Sequence, residues 1–172
     1  IKPYIVHDFD IKGGTDGFAE TYGQAEGHPM TDYDKGNVKA RMRMIAHYAF
    51  ASEYKLLVVG TDHAAEAVTC FFTKFGYGGA DILPLSGLSK RQGRKLLRLL
   101  GVPDVFTTKQ PTADLLDKKP GQTDESELGI TYETLDEYLE GNAIDAELAG
   151  KIEQRYLATT HKRALPVAFT DR

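Results

Sequence analysis

Apolar and polar positions alternate from Tyr4 to Ile11, the two-residue period of a strand, and Gly13-Gly14 break it. Asp16 stands where a helix cap is wanted, for a helix running to about Ala25, and Glu26-Gly27-His28-Pro29 makes a turn. From Lys35 to Ser52 the period lengthens to that of a helix. Val38, Met42, Ile45 and Ala49 share one face, with Lys39, Arg41 and Arg43 off it. Lys55 to Val59 is an apolar run of the kind buried in a parallel sheet. Helix, strand and helix in that order predict an α/β architecture with crossovers.

Asp62 to about Phe72 reads as a short helix, and Phe75 to Gly87 as a loop containing Gly76, Gly78, Gly79 and Pro84. Ser89 caps a helix to Leu100 in which Leu96, Leu97, Leu99 and Leu100 are expected to pack; Gly101-Val102-Pro103 ends it. Lys109 to Glu127 is long, polar and rich in Pro, Gly, Asp and Thr, the composition of a mobile loop. Thr131–Leu139 and Asp145–Thr160 are the last helices, the second with Leu148, Ile152 and Tyr156 on one stripe. Neither a repeat nor a domain linker interrupts the 172 residues, which read as one domain, 1–172.

Composition narrows the function classes. An apolar fraction of 41% and a charged fraction of 27% are those of an ordinary soluble protein, and a formal net charge of -4 gives no general basic field for nucleic acid. No apolar run approaches a membrane span, and the single Cys70 fits a reducing cytoplasm. The chain opens without methionine on a strand pattern that has few partners downstream, so an upstream segment is expected.

The candidate chemistry gathers between Lys55 and Gln92. Thr61 and Asp62 follow the buried run, where open α/β sheets bind ligands, although either also serves as a cap for the next helix. Glu66, one turn in, suits Mg²⁺ against phosphate oxygens or simply complements the helix dipole. Lys74, Asp81 and Lys90 surround the glycine-rich loop. As isolated charges they are ordinary surface residues; Lys90 at a helix start also suits phosphate, through its charge and the free N–H groups there. His161-Lys162-Arg163 offers either dipole compensation or an anion clamp, and Cys70 an inert thiol. Gly76-Tyr77-Gly78-Gly79 has the wrong spacing for a dinucleotide fingerprint, and Lys12 to Gly17 reads as a turn.

Taken together the motifs carry a resemblance. Gly60-Thr61-Asp62-His63-Ala64-Ala65-Glu66, Phe71-Phe72-Thr73-Lys74, Gly78-Gly79-Ala80-Asp81-Ile82, Lys90-Arg91-Gln92 and Pro111-Thr112-Ala113-Asp114-Leu115 are similar to the ammonia-dependent NAD synthetases. Lys119 to Glu125, Gly129 to Tyr132, and Tyr156 through Arg163 continue the match, which covers essentially the whole chain.

The resemblance implies a Rossmann-like parallel sheet flanked by helices, of the N-type ATP pyrophosphatase (adenine nucleotide alpha-hydrolase) type, in a cytoplasmic homodimer. The implied reaction is activation of the nicotinate carboxylate of deamido-NAD by MgATP, then displacement of AMP by ammonia. Carried over by position, Thr61, Lys90 and Thr112 match ATP contacts and Glu66 a magnesium ligand. Arg41, Lys74, Asp81, His161 and Lys162 match deamido-NAD contacts, some reached across the dimer interface. The family's Ser-Gly-Gly-x-Asp-Ser phosphate loop has no counterpart here. The chain is therefore expected to be the C-terminal part of a synthetase domain; the alternative is a catalytically incomplete module that binds a nucleotide or only dimerises.

Overall fold

The computed structural model describes residues 4–169, and among these it contains nine helices. They are α1 (Lys12–Glu26), α2 (Asp32–Tyr54), α3 (Ala64–Thr69), α4 (Lys90–Leu99), α5 (Asp104–Thr108), α6 (Asp124–Leu128), α7 (Tyr132–Leu139), α8 (Ala146–Ala158) and α9 (Thr160–Arg163).

Most starts are set by local chemistry legible in the sequence. Ser89, Thr131 and Asp145 each accept a backbone N–H of the first turn that follows, as N-caps do. Thr31, His63 and Thr123 do the same for α2, α3 and α6.

The core lies where α3, α6, α7 and α8 meet. Ala65, Leu128, Ile130, Tyr132, Leu135 and Ile152 are buried together, with Val68, Phe71 and Leu148 packed against them. Complete burial of Leu135 and Ile152 stabilises the fold by about 2 kcal/mol each. Of the stripe expected on α8, Ile152 is buried, Leu148 is half-buried and Tyr156 is exposed.

Several expectations are corrected. Tyr4–Ile11 forms no strand: it runs irregularly and exposed, with His7 stacked on Phe50 at 4.7 Å. Rather than being broken by Gly13-Gly14, the chain turns helical there, because packing against α2 outweighs glycine's poor helix propensity; a Cβ on Gly14 would strike Met42 Cε. The buried side of α2 consists of Gly36, Ala40, Ala46 and Ala51, while Ile45 is 54% exposed. Small residues let neighbouring backbone approach: Gly36 lies against Leu115, and Ala40 against Gly76. Leu99 and Leu100 face solvent instead of packing.

Among the described residues the expected parallel sheet is represented by one parallel bridge, Val59 to Ile82. Around it Gly60 N donates to Ile82 O at 2.9 Å and Asp81 N to Val58 O at 2.9 Å. Val58 is buried, but Leu56, Leu57 and Val59 are exposed, since only one flank of this run is paired. Lys109 to Glu127 is tied down where a mobile loop was expected. Asp32 accepts from Asp117 N and Lys118 N at 2.9 and 3.0 Å, Lys39 Nζ donates to Leu115 O at 2.8 Å, and Thr112 pairs antiparallel with Thr123.

Candidate functional site

A cavity of about 640 Å³ opens between the end of the Val58-Val59 run, α3, α4 and the segment after α5. Thr61, Glu66, Lys90 and Thr112, separated by up to half a hundred positions in sequence, all line it, as do Asp62, His63 and Asp124.

Close packing fixes the approach to Thr61. A Cβ on the preceding Gly60 would lie 2.6 Å from the Tyr77 carbonyl oxygen and 2.6 Å from Leu83 Cδ2, so only glycine fits. His63 then caps α3 and Glu66 answers it, with His63 N donating to Glu66 Oε2 at 3.3 Å. The cap expected at Thr61 or Asp62 falls instead to His63, and Thr61 and Asp62 line the cavity.

Glu66 is partly enclosed, and its carboxyl is pushed up to about 7, chiefly by burial; Lys90 pulls the other way, while Asp62 and Asp124 add to the rise. Burial, helped by the Lys90 charge, pushes His63 down to about 4. A neutral imidazole has one acceptor nitrogen, and two contacts compete for that role: Nε2 lies 2.8 Å from Lys90 Nζ, and Nδ1 3.4 Å from Glu66 N.

One part of the sequence reading of Lys90 is overturned. The leading N–H groups of α4 are not free: Asp136 takes Lys90 N on Oδ1 at 2.9 Å and Arg91 N on Oδ2 at 2.7 Å, and Ser89 Oγ takes Gln92 N. Arg91 also pairs with Glu137 and Glu140, locking α4 onto α7. What α4 offers the cavity is side chains, with Lys90 and Arg94 as its cations.

The acidic groups suit a hard cation. Among the described residues no three metal-ligating side chains close on a single point. Mg²⁺, however, asks for only one or two carboxylates, completing its shell with phosphate oxygens and water. Asp124 supports the fit: it is 6% exposed, its Oδ2 accepts the Tyr132 hydroxyl at 2.8 Å, and its Oδ1 is buried with no hydrogen-bond partner.

The other site candidates lie outside this cavity. Arg41 Nε donates to Lys74 O at 3.1 Å, and Lys74 Nζ to His161 O at 2.6 Å, so these three form one chain of contacts. Lys162 Nζ donates to Phe72 O at 2.8 Å and Cys70 O at 3.2 Å, and lines a second cavity of about 110 Å³. Phe71, Phe72, Thr73, Ala113 and Leu115 line both cavities and so form the wall between them. Asp81 belongs to the bridge instead, its carboxylate accepting from Val58 N at 2.8 Å. His63, Tyr132, Asp124 and Asp136 escaped the sequence reading. His63, Asp124 and Tyr132 stand within motifs that carry the resemblance, which was the available signal; Asp136 is an acid inside a helix pattern and carried none.

A partly enclosed acid, a lysine without an ion pair among the described residues and a threonine just after the Val58-Val59 run face one cavity, an arrangement that suits an anionic ligand carrying a metal. The chain belongs to the NAD synthase family, whose sequence profile matches residues 4–166. It is similar to the NH(3)-dependent NAD(+) synthetase of Bacillus velezensis, 57% identical over 171 residues covering 99% of this chain and 63% of that protein. The Bacillus cereus enzyme of the same name is 59% identical over 163 residues, covering 95% and 60%. In three dimensions it is similar to an NMN synthetase from Francisella tularensis (TM-score 0.86, 36% identity, 95% of this chain and 66% of that one). It is likewise similar to an NAD+ synthetase from Burkholderia pseudomallei (TM-score 0.71, 45% identity, 91% and 59%). The chain spans about three-fifths of the length of the curated relatives it matches.

Proposed function

We propose that the protein carrying this chain makes NAD by amidating deamido-NAD with ammonia, at the expense of ATP. A carboxylate oxygen is a poor leaving group; transfer of AMP to the nicotinate carboxylate, with release of pyrophosphate, makes it a good one. Ammonia then attacks the carboxyl carbon and AMP departs. The observation that carries this reading is the convergence of Thr61, Glu66, Lys90 and Thr112 on one cavity.

In that cavity Lys90 meets the polyphosphate with its ammonium, while Thr61 and Thr112 offer hydroxyls to ATP. Glu66, with Asp124 nearby, would hold Mg²⁺, which when bound neutralises phosphate charge and polarises the phosphoryl oxygens. Arg41, Lys74, Asp81, His161 and Lys162 contact deamido-NAD; their place outside the cavity suits a ligand shared with a second copy of the chain in a cytoplasmic homodimer. The chain forms part of one synthetase domain of N-type ATP pyrophosphatase type, and the Val59–Ile82 bridge supports a parallel sheet at its centre.

The similarity to an NMN synthetase supports a second acceptor, nicotinate mononucleotide, with the same chemistry. Both are tested by supplying MgATP and ammonium with either acid and following amide, AMP and pyrophosphate. Stoichiometric NAD, AMP and pyrophosphate from deamido-NAD are expected. Turnover of the mononucleotide alone would replace the first reading by the second, and turnover of neither would leave only a binding or dimerising module.

A further inference from the structure

We infer that Tyr132 is a positioning residue for Lys90: its ring is a fixed, uncharged seat that holds the lysine ammonium at the cavity without neutralising it. Lys90 Nζ stands 4.9 Å from the centroid of the Tyr132 ring and 2.8 Å from His63 Nε2. Among the described residues it makes no ion pair within 4 Å. A carboxylate in place of the ring would also hold the ammonium, but would cancel the charge that a phosphate needs. An aromatic face attracts a cation through its quadrupole and leaves the net charge unchanged.

The seat is rigid from three directions. Tyr132 is 2% exposed and belongs to the core cluster with Leu135 and Ile152. Its hydroxyl donates to Asp124 Oδ2 at 2.8 Å, and its backbone N donates to Glu125 Oε1 at 2.7 Å. The lysine backbone is fixed as well, since Asp136 of the same helix α7 accepts Lys90 N. One helix thus sets both ends of the Lys90 side chain, which matters because a four-carbon stem otherwise samples many rotamers. Nothing in the sequence motifs assigned Tyr132 or this coupling.

The inference rests on the reading of Lys90 as an ATP contact, and the experiment separates the two. KM for MgATP is measured in the complete enzyme at saturating deamido-NAD and ammonium, for wild type, Tyr132→Phe, Tyr132→Leu, Lys90→Ala and the Lys90→Ala/Tyr132→Leu double variant. Tyr132→Phe keeps the ring and is expected to stay within about threefold of wild type. Tyr132→Leu should raise KM for MgATP about tenfold with KM for deamido-NAD unchanged, and should add nothing once Lys90 is gone. If Tyr132→Leu does not fold, phenylalanines of increasing ring fluorination at position 132 keep the shape and drain the π face; a stepwise rise in KM for MgATP is then expected. Additive effects in the double variant, or a flat fluorination series beside an impaired Lys90→Ala enzyme, would overturn the seat alone. An unimpaired Lys90→Ala enzyme would remove the ATP role of Lys90 and the seat with it.

Discussion

Lys74 Nζ donates to the backbone carbonyl of His161 across 2.6 Å, joining two positions 87 residues apart. With Lys162, which reaches Cys70 O and Phe72 O, it fastens α9 to the segment after α3. The residues matched to deamido-NAD binding therefore also hold the fold together. Lys162→Met, which keeps the stem and removes the donors, is expected to cost about 2 kcal/mol, since hydrogen bonds from charged groups contribute most. It should also raise KM for deamido-NAD without changing KM for MgATP. Urea unfolding and initial rates measure the two effects, and an unchanged urea midpoint would refute the structural half.

Asp136 satisfies two backbone donors at the head of α4. Asp136→Ala would orphan Lys90 N and Arg91 N and is expected to destabilise by about 1–3 kcal/mol. Because it also frees the Lys90 backbone, KM for MgATP should rise. A loss of stability with ATP kinetics untouched would show that Lys90 does not depend on this anchor.

Gly60 admits no side chain. With the Tyr77 carbonyl and Leu83 2.6 Å from the position of a Cβ, Gly60→Ala must push the chain apart just before Thr61. A cost of about 1–3 kcal/mol is expected from overpacking, with weakened ATP binding. Thermal unfolding and nucleotide titration of the variant check it.

His63 and Glu66 predict opposing pH dependences in protein stripped of metal. Glu66, ordinarily near 4.5, is raised to about 7 by burial. Folded protein thus holds a proton that the unfolded chain has released, and between those values stability falls as pH rises. His63, ordinarily near 6.5, is lowered to about 4 by burial and by Lys90. The unfolded chain takes up a proton that the folded one refuses, so its contribution is lost as pH falls through that window. The two slopes oppose each other where the windows overlap. Glu66→Gln should therefore become more stable as pH rises from 4.5 to 6.5, and His63→Gln less stable over the same range. Urea titrations with a chelator present test this, and parallel pH profiles for the two variants would refute it.

Glu66→Ala should also remove most turnover of the complete enzyme, because a carboxylate at the phosphates is lost. Near-normal rates at saturating MgATP would exclude Glu66 as the metal ligand.

The legible parts of this chain are those governed by local chemistry. Ser89, Thr131 and Asp145 announce their helices, and the motif around Thr61 and Glu66 locates a cavity wall. Long-range packing explains the misses. Gly36, Ala40 and Ala51 turn inward on α2 because close approach needs small residues, and a search for a stripe of large ones selects the exposed Ile45 instead. Among the described residues the Tyr4–Ile11 alternation meets no partner strand. Tyr132 and Asp136 matter through Lys90, more than forty positions away, and no local pattern encodes that partnership.

A cradle of backbone N–H groups grips an anion from several fixed directions and lets go only when the main chain moves. At the head of α4 those donors are already engaged by Asp136, which leaves side chains, Lys90 on its Tyr132 seat with Arg94 and Lys109 on the same lining, to do any gripping. Such a hold ends with rotation about side-chain bonds, a fast motion on the scale of protein dynamics. An anion bound at this corner of the cavity would thus be released by side chains moving off it, with the helix and its neighbours left in place.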